Sequence, residues 1–275
     1  MNIKLGYQIY SARDIAETNL ELVCEKLKEF GYDGVEFAGF YGKTKEEVKA
    51  ILDKTGLVAV SSHVPYDSIV ADMEGTIEYH KYLGCKYIAI PYLSEELRPG
   101  APGFADAIKT IYVFGELCKK NGIQLLYHNH DFEFVKLSGM YGLDFLYAAT
   151  TPEVLATELD TCWVKVAGED PAAYIRKYAN RCPIVHLKDY IGEKKEGEAL
   201  YALIKADGSD DVKVETNKEP AFDFRPVGYG KQNIPSIIDA GLESGASWFV
   251  VEQDRSSERP SLDAAKMSCD YVRGL

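Results

Sequence analysis

Short apolar runs alternate along this chain with longer stretches in which apolar residues recur every three or four positions. Lys4–Tyr10 is the first such run. Beyond Ser11-Ala12-Arg13-Asp14, residues Leu20, Leu22, Val23, Leu27 and Phe30 fall at helical spacing, and Gly31 stops the helix. The cycle then repeats. Strand Asp33–Ala38 leads to a helix over about Lys45–Asp53 that stops at Gly56, and strand Leu57–Ser62 leads to a helix over about Ser68–Leu83. Strand Lys86–Pro91 precedes a Pro/Gly-rich loop near Arg98–Gly103 and a helix reaching Asn121-Gly122. The fifth strand is Ile123-Gln124-Leu125-Leu126, running into Tyr127-His128-Asn129-His130-Asp131-Phe132-Glu133. A short helix near Leu143–Ala149, strand Val154–Asp160, helix Pro171–Tyr178 and strand Pro183–Asp189 follow. After a polar excursion over Tyr190–Arg225 come helix Ile234–Ser244, strand Ser247–Gln253 and a last helix from Ser261.

Eight strands alternating with helices, the strands apolar on both faces, predict a parallel sheet covered by helices. The expected fold is α/β, a single (β/α)8 TIM barrel over residues 1–275, with the excursion at about 190–225 between strand seven and its helix. The competing doubly wound sheet usually carries a phosphate-binding glycine loop after its first strand. Gly6-Tyr7-Gln8-Ile9-Tyr10-Ser11 has neither G-x-G-x-x-G nor a P-loop pattern.

Composition adds exclusions. The 31 basic and 43 acidic residues give a formal charge of −12, spread along the chain without a basic groove, so nucleic acid is not an expected partner. The six cysteines form no C-x-x-C pair, and no secretory leader stands at Met1-Asn2-Ile3-Lys4. They are expected to be reduced thiols of a cytoplasmic protein. No apolar run has the roughly 18 residues of a spanning helix, so no membrane is expected. Assembly into a homo-oligomer is left open.

The five histidines change the picture most, because all but His80 stand at strand ends. In a barrel the chemistry sits at the carboxyl ends of the strands. Those positions hold Glu36, His63, His128 and His130, Glu158 and Asp160, His186 and Lys188, and Glu252 and Asp254. Imidazole and carboxylate suit a borderline divalent ion, and His128, Asp160, His186 and Glu252 offer one ligand from each of strands five to eight. Glu36, His63, His130, Glu133, Glu158 and Trp163 are expected near the substrate, with His130 and Glu133 also able to orient ligands and Trp163 placed to pack on a sugar face. Lys188 is expected to hold an anion or a substrate hydroxyl, with a salt bridge to Glu158 as the alternative.

The segments GYQIYSAR (6–13), YDGVEFAGF (32–40), YHNHDFEF (127–134), ELDTCWVKVAGEDP (158–171), VHLKD (185–189), VGYG (227–230) and VVEQD (250–254) resemble the xylose-isomerase-like TIM barrels, the sugar phosphate isomerases/epimerases, nearly end to end. The resemblance implies one divalent ion at the ends of strands five to eight, manganese first, with zinc, cobalt, iron or magnesium as alternatives. Asp160, His186 and Glu252 match that family's ligands, whereas His128 stands where a glutamate is usual. The related apurinic/apyrimidinic endonucleases carry a further histidine at the position of Trp163, which argues against nuclease activity.

The resemblance implies a metal-dependent sugar isomerase or epimerase acting on a keto-sugar or polyol through a metal-stabilised enediolate. Glu252, His128 and Lys188 are the catalytic candidates, and a small carbohydrate is the expected partner. With His128 in place of the second glutamate, a dehydratase, hydratase or lyase acting on a keto-sugar, keto-glycoside or inosose is the alternative. A non-catalytic carbohydrate-binding barrel is the second alternative.

Overall fold

The computed structural model describes residues 3–194 and 222–275. Its strands are β1 Leu5–Gln8, β2 Gly34–Ala38, β3 Val58–His63, β4 Tyr87–Ile90, β5 Gln124–His128, β6 Ala156–Asp160, β7 Ile184–Leu187 and β8 Trp248–Val251. Each pairs in parallel with its sequence neighbours, and β1 also pairs with β8 through Leu5↔Phe249 and Tyr7↔Val251, so the sheet closes into the expected barrel. All six cysteines are buried and none is in a disulfide. Among the described residues no helix is long and apolar enough to cross a membrane.

The alternation of side chains along each strand builds two cores. One face packs outward under the helices, with Leu5, Tyr7, Val35, Phe37, Leu125 and Tyr127 in a continuous buried cluster. The inward face forms a separate floor of Val60, Ala89, Leu126, Ala156, Ile184, Trp248 and Val250. Two residues beyond Leu126, Ala156, Ile184 and Val250, on the same face, stand His128, Glu158, His186 and Glu252. The site therefore rests directly on an apolar plug.

Between β2 and β3 the register shifts from Val35↔Ala59 to Glu36↔Ser61. The extra residue on β3 sets Glu36 opposite Ser61, whose hydroxyl donates to it. Close approach at the start of β2 requires Gly34, because a Cβ there would meet Val60 Cγ2 at 2.6 Å and the Val58 carbonyl at 2.7 Å. Gly34→Ala is expected to cost about 1–3 kcal/mol, read as a lower urea midpoint at unchanged slope.

Several boundaries differ from the sequence reading for local reasons. β1 ends at Gln8, whose side chain accepts the Tyr10 N–H and turns the chain into a short 3-10 segment, Ile9–Ala12, that leads into helix Arg13–Phe30. The helix expected over Ser68–Leu83 is two helices, Tyr66–Ala71 and Met73–Leu83. Asp72 breaks it and caps the second through the Gly75 N–H. A six-residue helix, Thr161–Val166, starts directly at Asp160.

The excursion is held at both ends by an antiparallel ribbon, Asp189–Gly192 with Phe222–Arg225. The Asp189 carboxylate accepts the N–H groups of Gly228, Gly230 and Gln232 and so ties the ribbon to the following turn. Most of the excursion expected at about 190–225, residues 195–221, lies outside the described residues.

Candidate metal and substrate site

Strand register sets the site. Asp160 lies opposite His186, and His186 opposite Val250, so the ends of β6, β7 and β8 bring their inward side chains together. His128, Asp160, His186 and Glu252 place one donor atom each within 4.8 Å of one another. His128 Nε2 is 3.6 Å from Asp160 Oδ2 and 3.9 Å from Glu252 Oε2, and His186 Nδ1 is 3.1 Å from that same Glu252 oxygen. Tetrahedral zinc, with bonds of about 2.1 Å, keeps its ligand atoms roughly 3.4 Å apart, so these separations suit an ion.

Asp160 supplies a second sign of fit. Its Oδ1 caps helix Thr161–Val166 by accepting from the Cys162 and Trp163 amides, while its buried Oδ2 accepts no hydrogen bond among the described residues. Asn129, between the two histidines, fixes this strand end: its Oδ1 accepts the Asp160 N–H and its Nδ2 donates to the Asp160 carbonyl.

Lys188, 1% exposed, reaches Glu252 Oε2 at 3.0 Å, Asp160 Oδ2 at 3.3 Å and Asp254 Oδ2 at 2.8 Å. These three carboxylates, and not Glu158, are its partners. Burial disfavours its charge, but Asp160, Asp254 and Glu252 outweigh that and hold the ammonium well above its ordinary pKa. Burial likewise opposes ionisation of Glu252, and Lys188 with His186 overcomes it and keeps the carboxylate charged. Asp160 is pushed up to about 6 by burial. Burial, then the neighbouring His186, hold His128 well below the usual imidazole range, which leaves it neutral as a ligand must be.

Below this group lies a second layer. Glu36 accepts from Gln8 Nε2 at 2.6 Å and from Ser61, and its Oε1 is 3.1 Å from His63 Nε2 and 2.9 Å from His186 Nε2. Glu158 Oε1 is 2.6 Å from His63 Nε2 and 3.1 Å from His128 Nδ1. Both carboxylates are fully buried and neither lines the cavity, so their expected contact with substrate is corrected.

Glu133 and Trp163 are corrected as well. Glu133 accepts from the Tyr127 hydroxyl at 2.7 Å and the His130 amide at 2.8 Å, away from the cavity. Trp163 is 0% exposed and packs with Phe222, Phe224 and Tyr190, because the short helix and the ribbon close over it. Its ring lies 5.4 Å from that of His130 and 5.2 Å from Lys188 Nζ, so it backs the site instead of facing a sugar.

Glu133 also sets a pH dependence. Burial pushes its carboxyl from 4.5 up to about 8, so between those values the folded protein holds a proton that the unfolded chain has lost. Stability contributed there is complete below pH 4.5 and is lost as pH rises towards 8. Glu133→Gln is expected to remove this loss, leaving a constant offset. Urea midpoints of both proteins at pH 5 to 9 should converge or cross with rising pH, and parallel curves would contradict it.

Above the two layers is a cavity of about 510 Å³. Its lining includes His63, His128, His130, Lys188, Glu252 and Asp254 together with Tyr10, Arg13, Tyr41, Pro65, Pro91 and Tyr92. Of the expected substrate contacts, His63 and His130 reach it. Gln8, Asn129 and Arg13 were not singled out from sequence. Gln8 had a usable signal, a polar residue on the inward face of an apolar strand, and Arg13, whose guanidinium donates to the Tyr10 and Asp254 carbonyls, had none.

Known proteins agree with this architecture. Inosose dehydratase of Lacticaseibacillus casei is 22% identical over 266 residues, covering 89% of this chain and 86% of its own. A sugar phosphate isomerase/epimerase from Parabacteroides distasonis superposes with a TM-score of 0.75 at 21% identity, covering 100% of this chain and 95% of its own. The IOLI protein, whose crystal structure holds a zinc atom, superposes with a TM-score of 0.69 at 12% identity over 99% of this chain and 97% of its own. The family profile described as xylose isomerase-like TIM barrel matches residues 24–275. With the closed parallel barrel and the strand-end residues above, the chain belongs to the xylose isomerase-like TIM barrel family.

Proposed function

We propose that this protein is a divalent-metal-dependent dehydratase acting on a cyclic keto-polyol of the inosose class. The inosose dehydratase relatives, matched over most of their length, favour this over the isomerase reading. The observation that carries it is the placement of the carboxylates beside the donor cluster. Glu252 and Asp254 reach the cavity from one strand end and share one lysine, and His128 stands on the facing strand. Epimerisation calls for proton transfer on both faces of a carbon, whereas elimination needs one base and one acid.

His128, Asp160, His186 and Glu252 would hold the ion. Zinc joins manganese as the first to test, given the zinc of the IOLI protein. When bound, the ion supplies Lewis-acid polarisation of the substrate carbonyl. Glu252 takes the proton from the carbon beside that carbonyl. The C–O bond on the next carbon breaks, and Lys188 gives the departing hydroxyl the proton that makes it water. The proton on Glu252 then returns to Lys188 across their 3.0 Å contact, restoring both groups. His63 and His130 line the cavity and contact substrate hydroxyls.

The test is NMR in deuterated water with inososes and ketoses, in the presence of manganese or zinc. An unsaturated product formed with loss of water is the expected result. Deuterium exchange with an epimerised product and no loss would establish the isomerase reading instead.

A further inference from the structure

His128 and His186 each turn one ring nitrogen up and the other down. His128 Nε2 faces Asp160 and Glu252, while its Nδ1 is 3.1 Å from Glu158 Oε1. His186 Nδ1 faces Glu252, while its Nε2 is 2.9 Å from Glu36 Oε1 and 3.3 Å from Glu158 Oε1. His63 Nε2 bridges the same two carboxylate oxygens at 2.6 and 3.1 Å. The 2.6 Å separation of His63 Nε2 and Glu158 Oε1 is a hydrogen-bond distance.

Resting on the metal reading above, we propose that Glu158, held by His63, is a positioning residue for the His128 ligand. Glu158 takes the N–H of His128 Nδ1, which leaves Nε2 to face the ion as a lone pair. A neutral imidazole has one donor and one acceptor nitrogen, so holding the lower N–H decides the upper one. Glu158, a carboxylate with no access to substrate and burdened by desolvation, acquires a role in this way. His63 is itself held by Glu36, which Gln8 and Ser61 fix, so β1 to β3 and β6 together back the ligand of β5.

The experiment compares Glu158→Leu with Glu158→Gln, whose amide oxygen can still accept. Zinc and manganese affinities are measured by chelator competition. Two-bond nitrogen–proton NMR of the metal-free protein reads which nitrogen of His128 carries the proton. Glu158→Leu is expected to bind the ion about 10–100-fold more weakly and to mix the His128 tautomers, with Glu158→Gln restoring both. A folded Glu158→Leu with natural affinity and one tautomer overturns the proposal. Should that variant not fold, the His128 tautomer of the metal-free natural protein decides alone. Metal-free natural protein with the His128 proton on Nε2 overturns it whatever the variants do. If the natural protein takes up no ion, the metal reading fails, and the tautomer spectra still decide this inference.

Discussion

Asp160→Asn is expected to fold and to lose affinity for the proposed divalent ion. The amide oxygen can keep the cap on Cys162 and Trp163, and Asp and Asn are nearly equal as helix caps, so the cap itself should change by no more than a few tenths of a kcal/mol, with the added cost of the lost Asp160–Lys188 charge contact, which Glu252 and Asp254 offset in part. The other oxygen, which faces Lys188 at 3.3 Å and His128 at 3.6 Å, becomes an NH2 group that can only donate. Flipping the amide would recover the ligand only by forfeiting the cap. Metal affinity should fall by more than about 100-fold, beyond what loss of an outer partner costs, and dehydratase turnover with it. Calorimetric titration with zinc or manganese beside a thermal melt checks both halves. Natural affinity in a stable Asp160→Asn protein would remove Asp160 from the ligand set.

Lys188→Met should be costly in the opposite manner, through stability. It leaves Asp160, Glu252 and Asp254 buried together without their shared cation, and breaking a buried pair in this way costs about 3–5 kcal/mol. A divalent ion would compensate part of that charge. At a hundred times its dissociation constant a native-state ligand adds about 2.7 kcal/mol, and the added stability should be larger in the variant than in the natural protein if the ion and the ammonium answer the same carboxylates. Turnover in the proposed dehydration should drop by about 10²–10⁴-fold even with ion bound, since the acid proposed for the leaving hydroxyl is gone. Urea titrations with and without zinc, followed by the NMR assay, separate the two effects. Ion-induced stabilisation smaller than in the natural protein would show that Lys188 and the ion do not share partners.

The barrel and its upper cluster were legible because they follow from alternation: the strands recur, and His128, Asp160, His186 and Glu252 each fall near a strand end. Height inside the barrel was not legible. Glu158 and Asp160 share a face and a strand end, yet strand stagger sets Glu158 level with Ile184, a floor residue, and Asp160 level with His186. Glu36 is lowered similarly by a register shift that no residue type announces. Trp163 was misplaced for a different reason. A helix of six residues is too short to show a period, and the Phe222 and Phe224 rings that cover it come from the far end of the excursion. Asn129 was not singled out, because only its bonds to the Asp160 backbone at the end of β6 reveal its task.

The seam between β1 and β8 bears on how this protein folds. It joins the two ends of the chain, so Leu5 meets Phe249 only after every intervening unit can be in place. Such distant pairing is slow to form, because the loop-closure entropy must be met before the contact repays it. Glu252, just past β8, arrives with that last pairing, and until then any ion would find an incomplete set of ligands. Metal uptake should therefore lag behind the gain of helical signal during refolding, and a time-resolved metal-sensitive dye would see the barrel close.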